Sequence, residues 1–331
     1  MKKRKMIILI GIVVYLLFIV YQYPLRHNQI AEQKTDSLTV VTSFYPMYMH
    51  TREIMKNTPH TVVNMASQTV GCLHDYQLTV QDAKKLYNAD ILVTNGLGSE
   101  NFIEKAYKQN KHLKVIEASY EIEKKLLSDE DVHTLESEQE EETGHEGHNH
   151  DHSLINDHIW LSIEGSIMQI EEITKNLVAI DPAYAEIYES NAANYIKALR
   201  NLQQSVKKVF VPVEHLKVVS VHDAFTYLLE ELDIDVVGVI PEGSYENASA
   251  KQIEQLIKHM QMEQVKVIVT EAKNKDLAIL KMIQNEIPCK VYVLDALVTA
   301  PEDEIQKGTE VFEYVARMTK NIEVLKEAFK E

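Results

Sequence analysis

The sequence predicts an α/β protein of two similar parallel-sheet lobes joined by one long helix. Two observations carry the prediction. From residue 38 almost to the end, short apolar runs alternate with amphipathic stretches, the order that builds a parallel sheet with helices on both faces. Midway, one periodic stretch over residues 182–209 makes a helix about 40 Å long, too long for an ordinary crossover and suited to a connector between lobes.

In the first half, residues 38–42, 61–65, 91–95 and 114–117 read as strands, and residues 45–56, 79–87 and 101–108 as helices. Asp181 is expected to cap the long helix, with Pro182 at its first position. Along it Tyr184, Tyr188, Ala192, Tyr195, Leu199, Leu202, Val206 and Val209 recur every three or four residues on one stripe. The second half repeats the alternation, with strands at 217–221, 235–240, 265–270 and 290–294 and helices near 224–232, 248–262, 277–286 and 301–326. The expected organisation is an N-terminal segment (1–30), a first lobe (38–180), a linker helix (181–210) and a second lobe (211–331).

With 331 residues and 45% apolar content, the chain can bury a substantial core. A net charge of −16 argues against a nucleic-acid partner, whose phosphates need a lysine and arginine surface, and favours cations. Lys2, Lys3, Arg4 and Lys5 precede apolar residues 6–23, about 27 Å as a helix, an insertion signal with its basic end in the cytoplasm. No small-x-small cleavage triplet follows, and neither Cys72 nor Cys289 lies near enough to accept a lipid. The segment therefore reads as an uncleaved membrane anchor, a removed signal peptide being the alternative. Everything past residue 30 would then face outward, at the cell surface or in a periplasm. The two cysteines read as separate thiols, with a disulfide between the halves as the other possibility.

Five of the fourteen histidines, His145, His148, His150, His152 and His158, fall within a short segment, and imidazole near neutral pH points to a transition metal. The first four are irregularly spaced and follow an acidic run through Glu142, so residues 128–156 are expected to be a disordered acidic loop that binds metal weakly. A folded site is sought instead beyond the carboxyl ends of the strands, where parallel sheets bind ligands. His74 lies in the loop after the second strand, His158 just before a helix, His222 at the end of one strand and Asp295 at the end of another. Glu271 is an equally placed carboxylate and the runner-up fourth ligand. Three imidazoles and a carboxylate suit tetrahedral Zn2+, whereas Mn2+ prefers oxygen-rich surroundings. Asp75, Asp157 and Asp223 each adjoin one of these histidines as candidate orienting partners. The plain alternatives are surface or core histidines, an Asp295 that merely caps its turn, and a Cys72 packed as a small thiol rather than approaching a metal.

These residues resemble the metal-binding solute receptors of zinc and manganese ABC importers, the cluster A-I or cluster 9 family. The resemblance spans about residues 38–326. Thr42-Ser-Phe-Tyr-Pro46-Met is similar to the family's first strand and turn, and Asn95-Gly-Leu-Gly-Ser-Glu100 to its asparagine-glycine segment. Asp157-His158-Ile-Trp160, Val221-His222-Asp223-Ala-Phe225 and Leu294-Asp295-Ala-Leu297 correspond in order to its ligand motifs. The resemblance implies two lobes around a rigid linker helix, with metal in the cleft held by His74, His158, His222 and Asp295. It implies the zinc branch, because the manganese receptors carry a glutamate where His222 stands, and because a histidine-rich acidic loop commonly precedes the second ligand of zinc receptors. The chain departs from the pattern where Cys72 and Leu73 replace the usual acidic residue and proline before His74, where Gln77 replaces a glutamate, and in lacking a lipid-acceptor cysteine.

The expected function is thus an extracytoplasmic zinc receptor, a monomer that hands Zn2+ to an ABC permease. The alternatives are a manganese receptor of the same family, a metal-dependent surface adhesin, or a zinc hydrolase with Glu271 as general base. No Gly-x-x-x-x-Gly-Lys loop is present for an ATPase, and no His-Glu-x-x-His or Gly-x-Ser-x-Gly motif for a hydrolase.

Overall fold

The structure, a computed structural model, describes residues 37–66, 76–103, 106–107, 110–133, 156–210, 216–241, 250–298 and 312–330. The expected membrane anchor, His74, Cys72 and the accessory histidines His145, His148, His150 and His152 lie outside the described residues. Among those described, no helix is long and apolar enough to cross a membrane.

Strands β1 (Thr39–Thr42), β2 (Thr61–Asn64), β3 (Ile91–Thr94) and β4 (Lys114–Glu117) form one parallel sheet in the order β2-β1-β3-β4. Strands β5 (Leu216–Val221), β6 (Ile234–Ile240), β7 (Val267–Glu271) and β8 (Lys290–Leu294) form a second in the equivalent order β6-β5-β7-β8, also all parallel. The burial follows from this order. Central strands β3 and β7 are buried at every residue, as apolar runs covered on both faces must be, while edge strands β2, β4 and β8 keep exposed or half-exposed positions.

Among the described residues the helices are α1 (Tyr45–Ile54), α2 (Val80–Tyr87), α3 (Tyr120–His133), α4 (Ile163–Ile180), α5 (Ala185–Phe210), α6 (Thr226–Glu231), α7 (Ala250–Met262), α8 (Ala278–Glu286) and α9 (Glu313–Ala328). The long helix α5 buries Tyr188, Ala192, Tyr195, Leu199, Leu202 and Val206, most of the expected stripe. One core runs through both sheets: Val40, Ile91 and Ile116 of the first and Val218, Val269 and Leu294 of the second join Ile167 and Ile170 of α4, Tyr188 and Tyr195 of α5, and Tyr314 and Met318 of α9.

Three expectations need correction. Asp181 does not cap the long helix, because Pro182–Tyr184 winds as a 3-10 turn and its carboxylate instead accepts from His60 Nε2 at 2.8 Å and Tyr188 OH at 2.9 Å. The acidic segment expected to be loop from residue 128 is helical as far as His133. Glu121 and Glu123 in the first turn of α3 suit its positive end, and Ile122 and Leu126 pack with Leu97, Ile159 and Met168. The helix expected at 101–108 is reduced to turns at 101–103, with helical backbone at 106–107. Helix α4 follows His158 for eighteen residues and lies at the centre of the fold, burying Ile163, Ile167, Ile170, Ile173 and Leu177.

Candidate metal centre

The second lobe presents His222 through the register of its sheet. Strand β5 pairs with β7 so that Ser220 faces Val269, which brings the next inward pair, His222 and Glu271, level with each other. His222 has left the strand with φ of +69°, a left-handed conformation that costs an ordinary side chain on the order of 1 kcal/mol. Two bonds hold it there: its amide donates to Ile240 O at 2.9 Å, and Ser220 Oγ donates to its carbonyl at 2.7 Å. Glu271 Oε1 lies 2.8 Å from His222 Nδ1, and both side chains are buried. In the neutral ring a carboxylate there favours the tautomer protonated on Nδ1, whose Nε2 lone pair can ligate a metal.

The first lobe presents His158 from a loop fixed by the segment after β3. Gly96, Leu97 and Gly98 all take positive φ, at +85°, +56° and +83°, which folds residues 95–100 into a tight curl. Inside it the Glu100 carboxylate accepts from Asn95 N at 2.6 Å, Gly96 N at 3.1 Å and Ser43 Oγ at 2.7 Å. Complete burial pushes the Glu100 pKa up to about 7 against the pull of those donors. Asn95 Nδ2 donates to Asp157 O at 3.0 Å and Ser99 Oγ to Asp157 Oδ2 at 2.6 Å, while Gln169 Nε2 donates to Asn95 Oδ1 at 2.7 Å. The residue before His158 is thereby pinned. Nδ1 of His158 then faces two acceptors, Asn156 Oδ1 at 2.9 Å and Asp157 Oδ1 at 3.1 Å, so its neutral ring likewise presents Nε2 to a metal.

The two imidazoles meet edge to face, with centroids 4.7 Å apart and planes at 84°. Around them the lobes are sewn together. Asn156 Nδ2 donates to Asp223 O at 2.7 Å and Tyr227 OH to Asn156 O at 2.8 Å. Trp160, whose ring lies 4.9 Å from that of His158, donates through Nε1 to Ala296 O at 3.0 Å and accepts at its carbonyl from Tyr314 OH at 2.7 Å. Gly165 lets α4 start against this turn, since a Cβ there would stand 2.6 Å from Ile159 O.

The other candidates are placed differently. Asp295 is gripped at both carboxylate oxygens by Arg317, Nε to Oδ2 at 2.7 Å and Nη2 to Oδ1 at 2.8 Å, and Oδ1 also accepts from Leu297 N at 2.9 Å. Asn321 clamps its backbone, accepting from Asp295 N and donating to Asp295 O, each at 2.8 Å. The Asp295 side chain is 42% exposed and shares with Glu271 the wall of a cavity of about 350 Å³. His74 lies outside the described residues, but both ends of its loop are fixed. Lys85 Nζ donates to Asn64 O at 3.1 Å and Met65 O at 2.6 Å, and Tyr76 OH donates to Asp82 at 2.7 Å, where Asp82 also closes a capping box with Thr79. Among the described residues no group of three or more histidine, cysteine, aspartate or glutamate side chains is assembled to hold a metal. Cys289 is a buried free thiol, its pKa raised by burial.

Sequence reasoning missed Asn156, Arg317 and Asn321. The available signal was the spacing of Glu313, Arg317 and Asn321, four residues apart and so on one stripe of a helix that is otherwise apolar toward the core.

Comparison with known proteins bears on the family and the fold. The family model described as ZnuA, zinc-uptake complex component A, periplasmic, matches residues 40–328. The zinc-binding protein AdcA of Streptococcus pyogenes serotype M3 is 28% identical over 98% of this chain, which spans 61% of the length of AdcA. The high-affinity zinc uptake system protein ZnuA of Bacillus subtilis is 29% identical over 90% of this chain and 89% of its own length. Among solved structures, the solute-binding protein FpvC of Pseudomonas aeruginosa in complex with Mn2+ superposes with a TM-score of 0.68 at 24% identity, covering 89% of this chain and 99% of FpvC. Zn(II)-bound AdcA of Streptococcus pneumoniae gives 0.68 at 23%, covering 89% of this chain and 58% of its own. At those identities the structures speak for the fold, two parallel-sheet α/β lobes.

Proposed function

Because the chain belongs to the family of periplasmic zinc-uptake complex component A proteins, we propose that it captures Zn2+ outside the cytoplasm and delivers it to the permease of an ABC-type importer. One observation carries the reading: His158 and His222, from different lobes, meet with ring centroids 4.7 Å apart while acceptors hold both Nδ1 protons. His74 and Asp295 complete the proposed ligand set. Glu271 has the Nδ1 side of His222 and serves as the carboxylate that orients and polarises that ring rather than as the fourth ligand. Three imidazoles and one carboxylate favour zinc over manganese. Four protein ligands leave no position for a reactive water, so the ion is cargo, and the hydrolase reading falls with that position.

In this reading residues 6–23 anchor the chain in the membrane, the receptor acts as a monomer, and His145, His148, His150 and His152 gather zinc weakly near the cleft. Native mass spectrometry with zinc and manganese in competition tests it, on the full chain and on a form lacking residues 134–155. One tightly held zinc is expected in both, and none in His222→Ala. Disappearance of the tight ion with the loop would reverse the assignment of collector and site.

A further inference from the structure

We infer that Arg317 competes with the cargo cation for Asp295, and that Glu313 is the carboxylate that takes up the guanidinium when the cation wins. The inference rests on the receptor reading above, in which Asp295 is a ligand. Both Asp295 oxygens are engaged by Arg317, at 2.7 Å and 2.8 Å, in a fork that matches the carboxylate. A metal that bonds either oxygen takes it from that fork. The Arg317 side chain is only 11% exposed, and a guanidinium cannot shed its charge, so losing its counter-ion inside the protein is costly unless another carboxylate is at hand.

Glu313 is that carboxylate. It stands one helical turn earlier on α9, with Oε1 3.7 Å from Arg317 Nη1. It also reaches the first lobe, accepting from Tyr45 OH at 2.5 Å and from Arg52 Nη2 at 3.4 Å, both on α1. The guanidinium itself lies 5.5 Å from the centre of the Tyr45 ring. Arg317 is thus a positioning residue between a strand end of the second lobe and a helix of the first. Exchange at Asp295 shifts its charge toward Glu313, which Tyr45 and Arg52 of α1 already hold.

The test is a chelator-competition titration of zinc on the full-length chain and on Arg317→Gln, Asp295→Asn and the double variant. Arg317→Gln should bind zinc about tenfold more tightly, which corresponds to about 1.4 kcal/mol of competition removed, and the gain should vanish in the Asp295→Asn background. A merely structural arginine gives no such Asp295-dependent gain. A folded Arg317→Gln with unchanged or weaker affinity, or with the same gain when Asp295 is already replaced, overturns the inference. Should that variant not fold, the nitrogen-15 signal of Arg317 Nε–H in the natural chain decides: it should move on addition of one equivalent of zinc, and a signal that stays put overturns the exchange. A natural chain that takes up no zinc defeats the receptor reading and this inference together, whereas zinc binding indifferent to Arg317 defeats this inference alone.

Discussion

His222 stands at the very end of a strand, in left-handed backbone, with one carboxylate behind its ring, whereas His158 rides on a loop whose position is set by a curl of three left-handed residues and a lattice of side-chain amides. The first arrangement draws its precision from sheet register, which aligns His222 with Glu271, and from the bonds of its backbone to Ile240 and Ser220. The second builds precision where no strand runs, and it needs Asn95, Ser99, Glu100, Asp157 and Gln169 to do so. A ligand on a strand end is thus held by bonds to its own sheet with Glu271 behind its ring, while a ligand on a loop spreads its support over several side chains.

Because the lattice around His158 encloses a buried acid, the largest expected effect that separates the two sides is one of pH. The Glu100 pKa is raised from 4.5 to about 7 by burial, so the native state holds that proton where the unfolded chain has lost it. Its contribution is fully present below about pH 4.5 and is lost as pH rises through about 7, a span of about 3 kcal/mol. Glu100→Gln should remove this component, so chemical denaturation of the natural chain and the variant should diverge steadily between pH 5 and 8. Parallel profiles would show that the lattice carries no titrating acid. His50, held down at about 3 by complete burial, acts with the opposite sign, its contribution being present above about pH 6.5 and lost on acidification, but it is common to both proteins and cancels in the difference.

Next in size is the loss of an orienting acceptor. Glu271→Gln removes the carboxylate 2.8 Å from His222 Nδ1 and should weaken zinc binding roughly 10- to 100-fold. Asp157→Asn should cost less, because Asn156 Oδ1 at 2.9 Å still faces the Nδ1 proton of His158. Zinc titrations that rank the two variants the other way would break the contrast between strand-end and loop support. The smallest effect expected is that of Gly96→Ala. Its Cβ would meet neighbours only at ordinary contact, 3.8 Å and beyond, so the penalty is that of the +85° φ alone, roughly 1–2 kcal/mol. Thermal unfolding measures it, and an unchanged midpoint would show that the curl tolerates side chains.

The alternating pattern revealed the strands and most helices because short buried runs and long stripes leave opposite periodicities in the sequence. Strand ends were equally readable, and so was His222, which sits at one. What escaped was whatever depends on partners distant in sequence. Asp181 carries every mark of a helix cap, yet His60, 121 positions away, takes its carboxylate. Asp295 and Glu271 end neighbouring strands and cannot be ranked by position; their difference lies in Arg317 beside one and His222 beside the other. Helix α3 was hidden by its acidic composition, since Ile122 and Leu126 pack on a cluster that local sequence does not show.

The last helix completes the first lobe. Glu313 bonds Tyr45 and Arg52 on α1, and Tyr314 closes over Trp160 and Ser166. A chain emerging N-terminus first can pair β1 to β4 early, but α1 keeps an uncovered face until residues near the end arrive to seal it. Such late, long-range closure slows folding and prolongs exposure of apolar surface. A truncation that removes α9 should therefore unsettle the opposite end of the chain at least as much as its own.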